Sequence, residues 1–445
     1  MKISKILKWV INPPARRQQH LLILSAIIMI ILFVDGVFIR TNDYMVHLSF
    51  GEVFIKGDIS SESFHDDLLK GSMYPIFRTM LDGIISIPNY YFTRAFIFIG
   101  SVVALIYSIN VWQRLAAIRY PLPQQQVFAS ITLSLLAVAP FLTRDFNEAG
   151  LQIYLLFMLT LAAQTWKSGA RITSGFWLAL AVSYKATPLL FLPFLIWKRE
   201  WRTASAMAVW LVVLSLTPAI WLGWNGMIEG HVSWIERLEK SHDHVEAYPS
   251  LGIIEQPTQN NLGLRALVAR YVESHPEGHP LFIDHPLFFQ FGNIESPSAK
   301  ITVWVILFLM ATFVAIRFRH RWNTSQMGAD MAPEWSVAIL ACALLSPITW
   351  KQHLVVALPC ILLAVSSTIA CTPPKRSRVL ILALVFAVLI ILRRYLFGPE
   401  LSNVFHSYKF DTIALIVFAL LVIFPPIPIS AAQRDQKKNQ LNSKH

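Results

Sequence analysis

Charge is scarce in this chain. Only 14% of its 445 residues are Asp, Glu, Lys or Arg, where a soluble domain carries roughly 25%. That shortage excludes an ordinary water-soluble globule. A hydrophobic share of 55% and a mean hydropathy of +0.51 point the same way. Cysteine is scarcer still. Cys342, Cys360 and Cys371 lie in or beside apolar runs without metal-ligand spacing, which excludes a disulfide framework and leaves buried thiols. The chain also lacks a glycine-rich phosphate loop, a nucleophile elbow and an Asp-x-Asp pair. Nucleotide-sugar or ATP chemistry therefore has no support in the sequence, and neither a metal nor another cofactor is called for.

What the chain has in abundance is long apolar runs. A hydrocarbon core about 30 Å thick needs about 20 helical residues to cross it. Candidate spans are 20–39, 94–113, 126–143, 150–166, 203–223, 301–317, 334–349, 353–371, 378–395 and 410–427. Two segments are irregular. Residues 74–90 contain Arg78, Asp82 and Pro88 and read as re-entrant or interfacial. Residues 172–197 are interrupted by Ser183-Tyr184-Lys185 and Pro188 and read as a broken helical hairpin. Broken helices at membrane depth are tolerated only against protein or a wet cavity. The expected fold is an all-α polytopic membrane protein with about 11–13 transmembrane or re-entrant helices. Residues 1–428 form a single membrane domain, and 429–445 form a basic cytoplasmic tail.

A net charge of +12 invites a nucleic-acid reading, but the basic residues sit in short clusters between apolar runs. Such clusters mark the cytoplasmic side. They begin with Lys2, Lys5, Lys8, Arg16 and Arg17. They recur at Arg114 and Arg119, at Lys167 and Arg171, at Lys198, Arg199 and Arg202, at Arg317–Arg321, at Lys375–Arg378 and in the tail. One topology satisfies all of them. Both termini are cytoplasmic, and loops 40–73 and 225–300 are outside, in an inner (plasma) membrane. The first apolar run is long and lacks a cleavage site, so it reads as an uncleaved helix.

This topology gathers polar residues on the outer side. Asp43 opens the first outer loop, and Tyr44–Lys56 has the spacing of an interfacial amphipathic helix. Asn147 and Gln152 flank the next outer turn. Lys185 lies at the tip of the broken hairpin, Asn261 in the large loop and His353 after Ser346-Pro347. Ionisable residues at such depths are costly, so function is the first hypothesis. Structural readings stand beside it: Asp43 as a helix cap, Lys185 as a snorkelling anchor, His353, Asn147 and Gln152 as satisfied groups at helix ends. His242-Asp243-His244 reads as a solvated loop rather than a metal pair.

The order of motifs resembles glycosyltransferase family 87, polytopic GT-C-type mannosyltransferases that use polyprenyl-phosphate-mannose. The carrying residues are Asp43-Tyr44 through Gly57-Asp58, Tyr74-Pro75-Ile76, Gly150-Leu151-Gln152, and Lys185-Ala186-Thr187-Pro188 followed by Lys198-Arg199-Glu200-Trp201-Arg202. Asn261-Leu262-Gly263-Leu264 and Ser346-Pro347-Ile348-Thr349-Trp350-Lys351-Gln352-His353 complete the series. The chain departs from the family pattern in three places. A second proline after Pro75 is missing, Tyr154 replaces an Asn, and only one His ends the last motif.

The resemblance implies an inverting transfer of a hexose, mannose in that family, from a polyprenyl-phosphate sugar to a lipid or glycan acceptor on the extracytoplasmic face. It implies Asp43 as base. An anionic leaving group needs cationic or hydrogen-bonding partners, for which Lys185 and His353 are the candidates, with Lys351, Arg144 and Arg265 in reserve. Asn147, Gln152 and Asn261 are candidates for sugar or acceptor hydroxyls. The competing class is a transporter or flippase of a lipid-linked or anionic solute, which broken helices also suit. Against it stand the missing two-fold repeat and the clustering of polar residues at one face. A structural envelope factor without chemistry would not need the ordered motifs.

Overall fold

A computed structural model describes residues 10–39, 42–56, 74–147, 151–242, 261–272, 296–319, 327–346, 348–371, 376–391 and 394–426, and positions 274, 289, 291, 292 and 294. The backbone is almost entirely helical. Helix α1 (Ala15–Val34) starts behind Pro14, where a missing N–H costs nothing, and runs on through a wide turn over Asp35–Ile39. From Leu21 on it is apolar apart from Ser25 and presents Leu22, Ile23, Ile27, Ile30 and Ile31 outward. A helix of that kind needs lipid or a core around it. Helices α2 (Asn42–Lys56) and α3 (Ile76–Ser86) follow, and then the long α4 (Tyr90–Arg119), capped by the Asn89 side chain on the N–H groups of Tyr91 and Phe92. Helices α5 (Gln124–Asn147) and α6 (Leu151–Lys167) come next.

The segment expected to be a broken hairpin is broken. Helix α7 (Arg171–Tyr184) stops at Lys185, whose backbone is extended (φ −152°, ψ 125°). A 3₁₀ turn over Thr187–Leu190 holds Pro188 and leads into the short α8 (Phe191–Trp197). Proline lacks the N–H that the helix needs, and its ring would clash with the carbonyl four residues back, that of Tyr184, where α7 ends.

Helices α9 (Trp201–Leu216) and α10 (Ala219–His242) meet at 96°. Within the stretch 225–300, residues 225–242 are helical beyond a kink at Gly223 (φ 69°, ψ 176°), and Leu264–Val272 form α11. Polarity hid an amphipathic helix there. Helices α12 (Ser296–Arg317) and α13 (Met327–Leu344), a 3₁₀ turn over Lys351–Ala357, and α14 (Leu358–Ala370) come next. The chain closes with α15 (Arg376–Phe386), α16 (Arg394–Ser407) and α17 (Phe410–Ile423).

Among the described residues, four stretches are long and apolar enough to cross a membrane: Ala15–Ile39, Tyr90–Arg119, Gln124–Asn147 and Lys351–Ala370. Two bent pairs, α9 with α10 and α16 with α17, raise the number to six, and shorter apolar helices lie at Thr187–Trp197, Ile301–Arg317 and Met331–Leu344. At 11 residues, α3 is about 16 Å long, too short to cross. The chain is an all-helical, multi-pass membrane protein.

Helix α14 forms the centre. It is as apolar as α1 but buried on every side, with α5 and α17 against it. Ser130 of α5 meets Ser366 of α14 at 2.7 Å. Two close crossings depend on glycine. A methyl group on Gly51 would collide with the Asp82 carbonyl, so α2 and α3 touch backbone to backbone. One on Gly175 would lie 2.7 Å from the Met207 amide nitrogen in the α7–α9 crossing.

The Lys198–Arg202 motif has a structural duty. Lys198 is buried, pairs with Glu334 of α13 at 2.5 Å and also donates to the Phe318 carbonyl. Glu200 accepts from the Trp166 indole at 3.1 Å and pairs with Arg171 at 3.3 Å. The turn therefore locks α6, α7, α8 and α13 at their shared end.

Candidate active site

The site is built where α6 begins and α7 breaks. Asp145, in the last turn of α5, accepts the backbone N–H groups of Gln152 and Ile153, each at 3.1 Å. The first turn of a helix has free N–H groups and a positive field, so a carboxylate is stable there. This fixes Gln152, whose Oε1 lies 3.5 Å from the Lys185 ammonium. The Tyr184 hydroxyl donates to the Leu151 carbonyl at 2.8 Å and ties α7 to the start of α6. Lys185 is thus held inside the protein, 9% exposed, at a point where the backbone has left the helix.

Beside it stands a second buried cation. Arg78 of α3 is 1% exposed, and its guanidinium lies over the Tyr184 ring at 3.9 Å and the Tyr74 ring at 5.3 Å. Its Nε donates to Asp82 Oδ1 at 2.8 Å, one helical turn on. The other carboxylate oxygen meets His47 Nδ1 of α2 at 3.3 Å. Burial pushes the Asp82 pKa up, but Arg78 and then His47 outweigh it and hold it below the ordinary carboxylate range. The carboxylate is therefore charged at neutral pH.

Asp43 lies in the first turn of α2, one turn before His47; its side chain is outside the described set. The next residue, Tyr44, is fully buried, and burial pushes its hydroxyl up to about 12. Arg94 of α4 sits over that ring at 5.3 Å.

His353 closes the site from the 3₁₀ turn before α14. Its Nδ1 accepts the Trp350 N–H at 3.1 Å, and its ring stacks on the Trp350 indole with centroids 6.0 Å apart. It lies within electrostatic reach of Lys185. Asn261 works on the same turn: its Oδ1 accepts from the backbone of Gly263 and of Thr349, both at 3.1 Å. Its amide oxygen is thereby engaged within the chain, where it fixes the turn that carries His353. Asn147 ends α5 two residues after Asp145, and its Oδ1 is buried with no hydrogen-bond partner among the described residues.

The structure thus gathers Gln152, Lys185 and His353, with Asn261 supporting His353. Of the reserves, Arg265 is buried against Trp304 at 5.7 Å. Among the described residues, no group of His, Cys, Asp or Glu is placed to hold a metal ion; Asp243 and His244 lie outside the described residues. Sequence reasoning noticed Arg78, Asp82 and Tyr184 only as parts of interruptions, and passed over His47. The Arg-x-x-x-Asp spacing was the available signal, because it places both charges on one face of a helix in an apolar segment.

Fold and site define a class: a multi-pass membrane protein with buried cations and hydrogen-bonding groups held at helix ends. Comparison makes the class specific. The model of glycosyltransferase family 87 matches residues 73–347, more than half of the chain, so the chain belongs to that family. It is a membrane glycosyltransferase with the GT-C-type helical architecture that the family implies. Crystal structures of ArnT from Cupriavidus metallidurans are similar at 14% identity. They cover 91% of this chain and 78% of that one, with TM-scores of 0.40 for the apo state and 0.34 for the state bound to undecaprenyl phosphate. No curated protein sequence matches.

Proposed function

We propose that this glycosyltransferase moves a hexose, mannose first among candidates, from a polyprenyl-phosphate sugar to a lipid or glycan acceptor on the extracytoplasmic side of the inner membrane. The observation that carries this reading is the Lys185 ammonium, buried at the break of α7 and faced by Gln152 and His353. A buried cation at a helix break suits an anionic group brought in by a lipid. The family to which the chain belongs supports a glycosyl donor.

In the proposed reaction the acceptor hydroxyl gives its proton to the Asp43 carboxylate. Its oxygen attacks the anomeric carbon in a single displacement, with inversion. The bond from that carbon to the phosphate oxygen breaks, and its electron pair leaves with the polyprenyl phosphate. Lys185 and His353 meet the charge that gathers on the leaving oxygen. In this reading Gln152 and Asn147 bind hydroxyls of the sugar or acceptor, and Asn261 keeps the His353 turn in register. Lys185 and His353 are buried, where such interactions count for more than in water.

The reading also carries a topology: one membrane domain over 1–428, both termini and the 429–445 tail cytoplasmic, and Asp43 outside. The test is incubation of the purified protein with labelled polyprenyl-phosphate-mannose and a membrane lipid extract, followed by product analysis. A new labelled glycolipid or glycan with inverted anomeric configuration is expected. Label remaining on the donor would count against the reading.

A further inference from the structure

We propose that Arg78 is a second, rigid anion-binding residue of this site, offering its two terminal nitrogens to the donor phosphate, with Asp82 and His47 as positioning residues. The proposal rests on the functional reading above and deepens it. Its first ground is an unsatisfied group. Both terminal nitrogens of Arg78 are buried and have no hydrogen-bond partner among the described residues. A buried donor left without an acceptor is costly, and native proteins rarely keep one without a use.

The second ground is the way the side chain is held. Asp82 takes only Nε. The guanidinium carbon lies over the Tyr184 ring at 3.9 Å and over the Tyr74 ring at 5.3 Å. The group is therefore held at three points, and its two remaining nitrogens are the fork that matches two oxygens of a phosphate. A purely structural arginine would turn that fork onto a carboxylate or carbonyls, as Arg378 does with the Phe424 and Leu421 carbonyls at 2.7 and 3.0 Å.

The third ground is location. Tyr184, under the guanidinium, immediately precedes Lys185, and Lys185 feels the Asp145 carboxylate and, after it, Arg78. Two basic side chains in one interior offer an incoming phosphate more than either does alone. His47 bridges the pair to α2, the helix whose first turn carries Asp43. The arrangement links the proposed phosphate site to the proposed base through a short chain of packed side chains.

Removing Arg78 alone leaves Asp82 a buried charge with only His47 beside it, which is destabilising. The test therefore uses Arg78→Lys, which keeps the charge and loses the fork, and Arg78→Met combined with Asp82→Asn, which removes both charges. Binding of a polyprenyl monophosphate, of the matching uncharged polyprenol and of inorganic phosphate is titrated on purified protein in lipid nanodiscs. Melting temperature serves as the folding control.

Wild type should prefer the lipid phosphate to the polyprenol. Folded Arg78→Lys and the double variant should lose that preference by about ten- to a hundredfold, the range of a charged hydrogen bond. Polyprenol binding should stay unchanged, and added guanidinium ion should restore part of the loss in the double variant. A similar loss for inorganic phosphate assigns the site to the phosphate group itself; its absence assigns it to the lipid-borne headgroup, and either accords with the proposal. An unchanged preference in the folded variants, alongside its loss in Lys185→Met, would overturn the role of Arg78 and leave the transfer reading standing. A wild type without any preference would overturn both.

Discussion

Asp43 and Lys185 stand at the start of one helix and the end of another, and the proposed chemistry divides between them. Replacing Asp43 with Asn keeps size and polarity and removes the base. Folding should stay near wild type, and transfer should fall by about a hundred- to ten-thousandfold, the usual worth of a general base. Turnover of the purified variant with its native acceptor checks this, and wild-type turnover would remove Asp43 from the role. Lys185→Met keeps the apolar stem and removes the charge, so donor affinity or turnover should drop well beyond a surface-charge effect. His353→Gln, which retains a hydrogen-bonding side chain for the Trp350 turn, should be milder than His353→Ala. Donor titrations across the three variants measure the order.

Residues at this scale were unevenly legible. Lys185 and His353 declared themselves by lying in apolar segments. Arg78 looked like a defect in a span, because its packing on Tyr184, which joins α3 to α7, has no local signature. Asn261 looked like a ligand. Its clasp on Thr349, 88 positions away, is a tertiary fact with no local signature.

At the scale of elements, the α2–α3 contact decides where the Asp82–His47 bridge sits. Gly51 lets the two backbones meet. Gly51→Ala should separate them, lower stability by about 1–3 kcal/mol as overpacking commonly does, and weaken donor binding through Arg78. Thermal unfolding in nanodiscs together with a donor titration tests both effects, and an unchanged melting temperature would mean that the helices meet elsewhere. The break in α7 was readable from Pro188 and from Lys185 in an apolar run, since proline acts locally. The helix over 225–242 was not, because a polar amphipathic helix and a polar loop share a composition. The apolar α1 and α14 were equally legible as helices. Which of them faces lipid and which is central depends on neighbours that no single window contains.

For the whole molecule, the basic clusters predict that the region near His244 faces outward. A cysteine introduced there should react with an impermeant reagent added to intact cells. Labelling only after the membrane is opened would reverse the map and place the site in the cytoplasm. The central claim is transfer from a lipid phosphate, and donor competition tests it most directly. Purified protein in vesicles is given polyprenyl-phosphate-mannose and a nucleotide-linked mannose carrying different labels, with acceptor lipids present. The account predicts that label from the lipid donor alone enters product, with one polyprenyl phosphate released for each sugar moved. Product labelled from the nucleotide sugar, or intact lipid donor crossing the bilayer without any product, would contradict it.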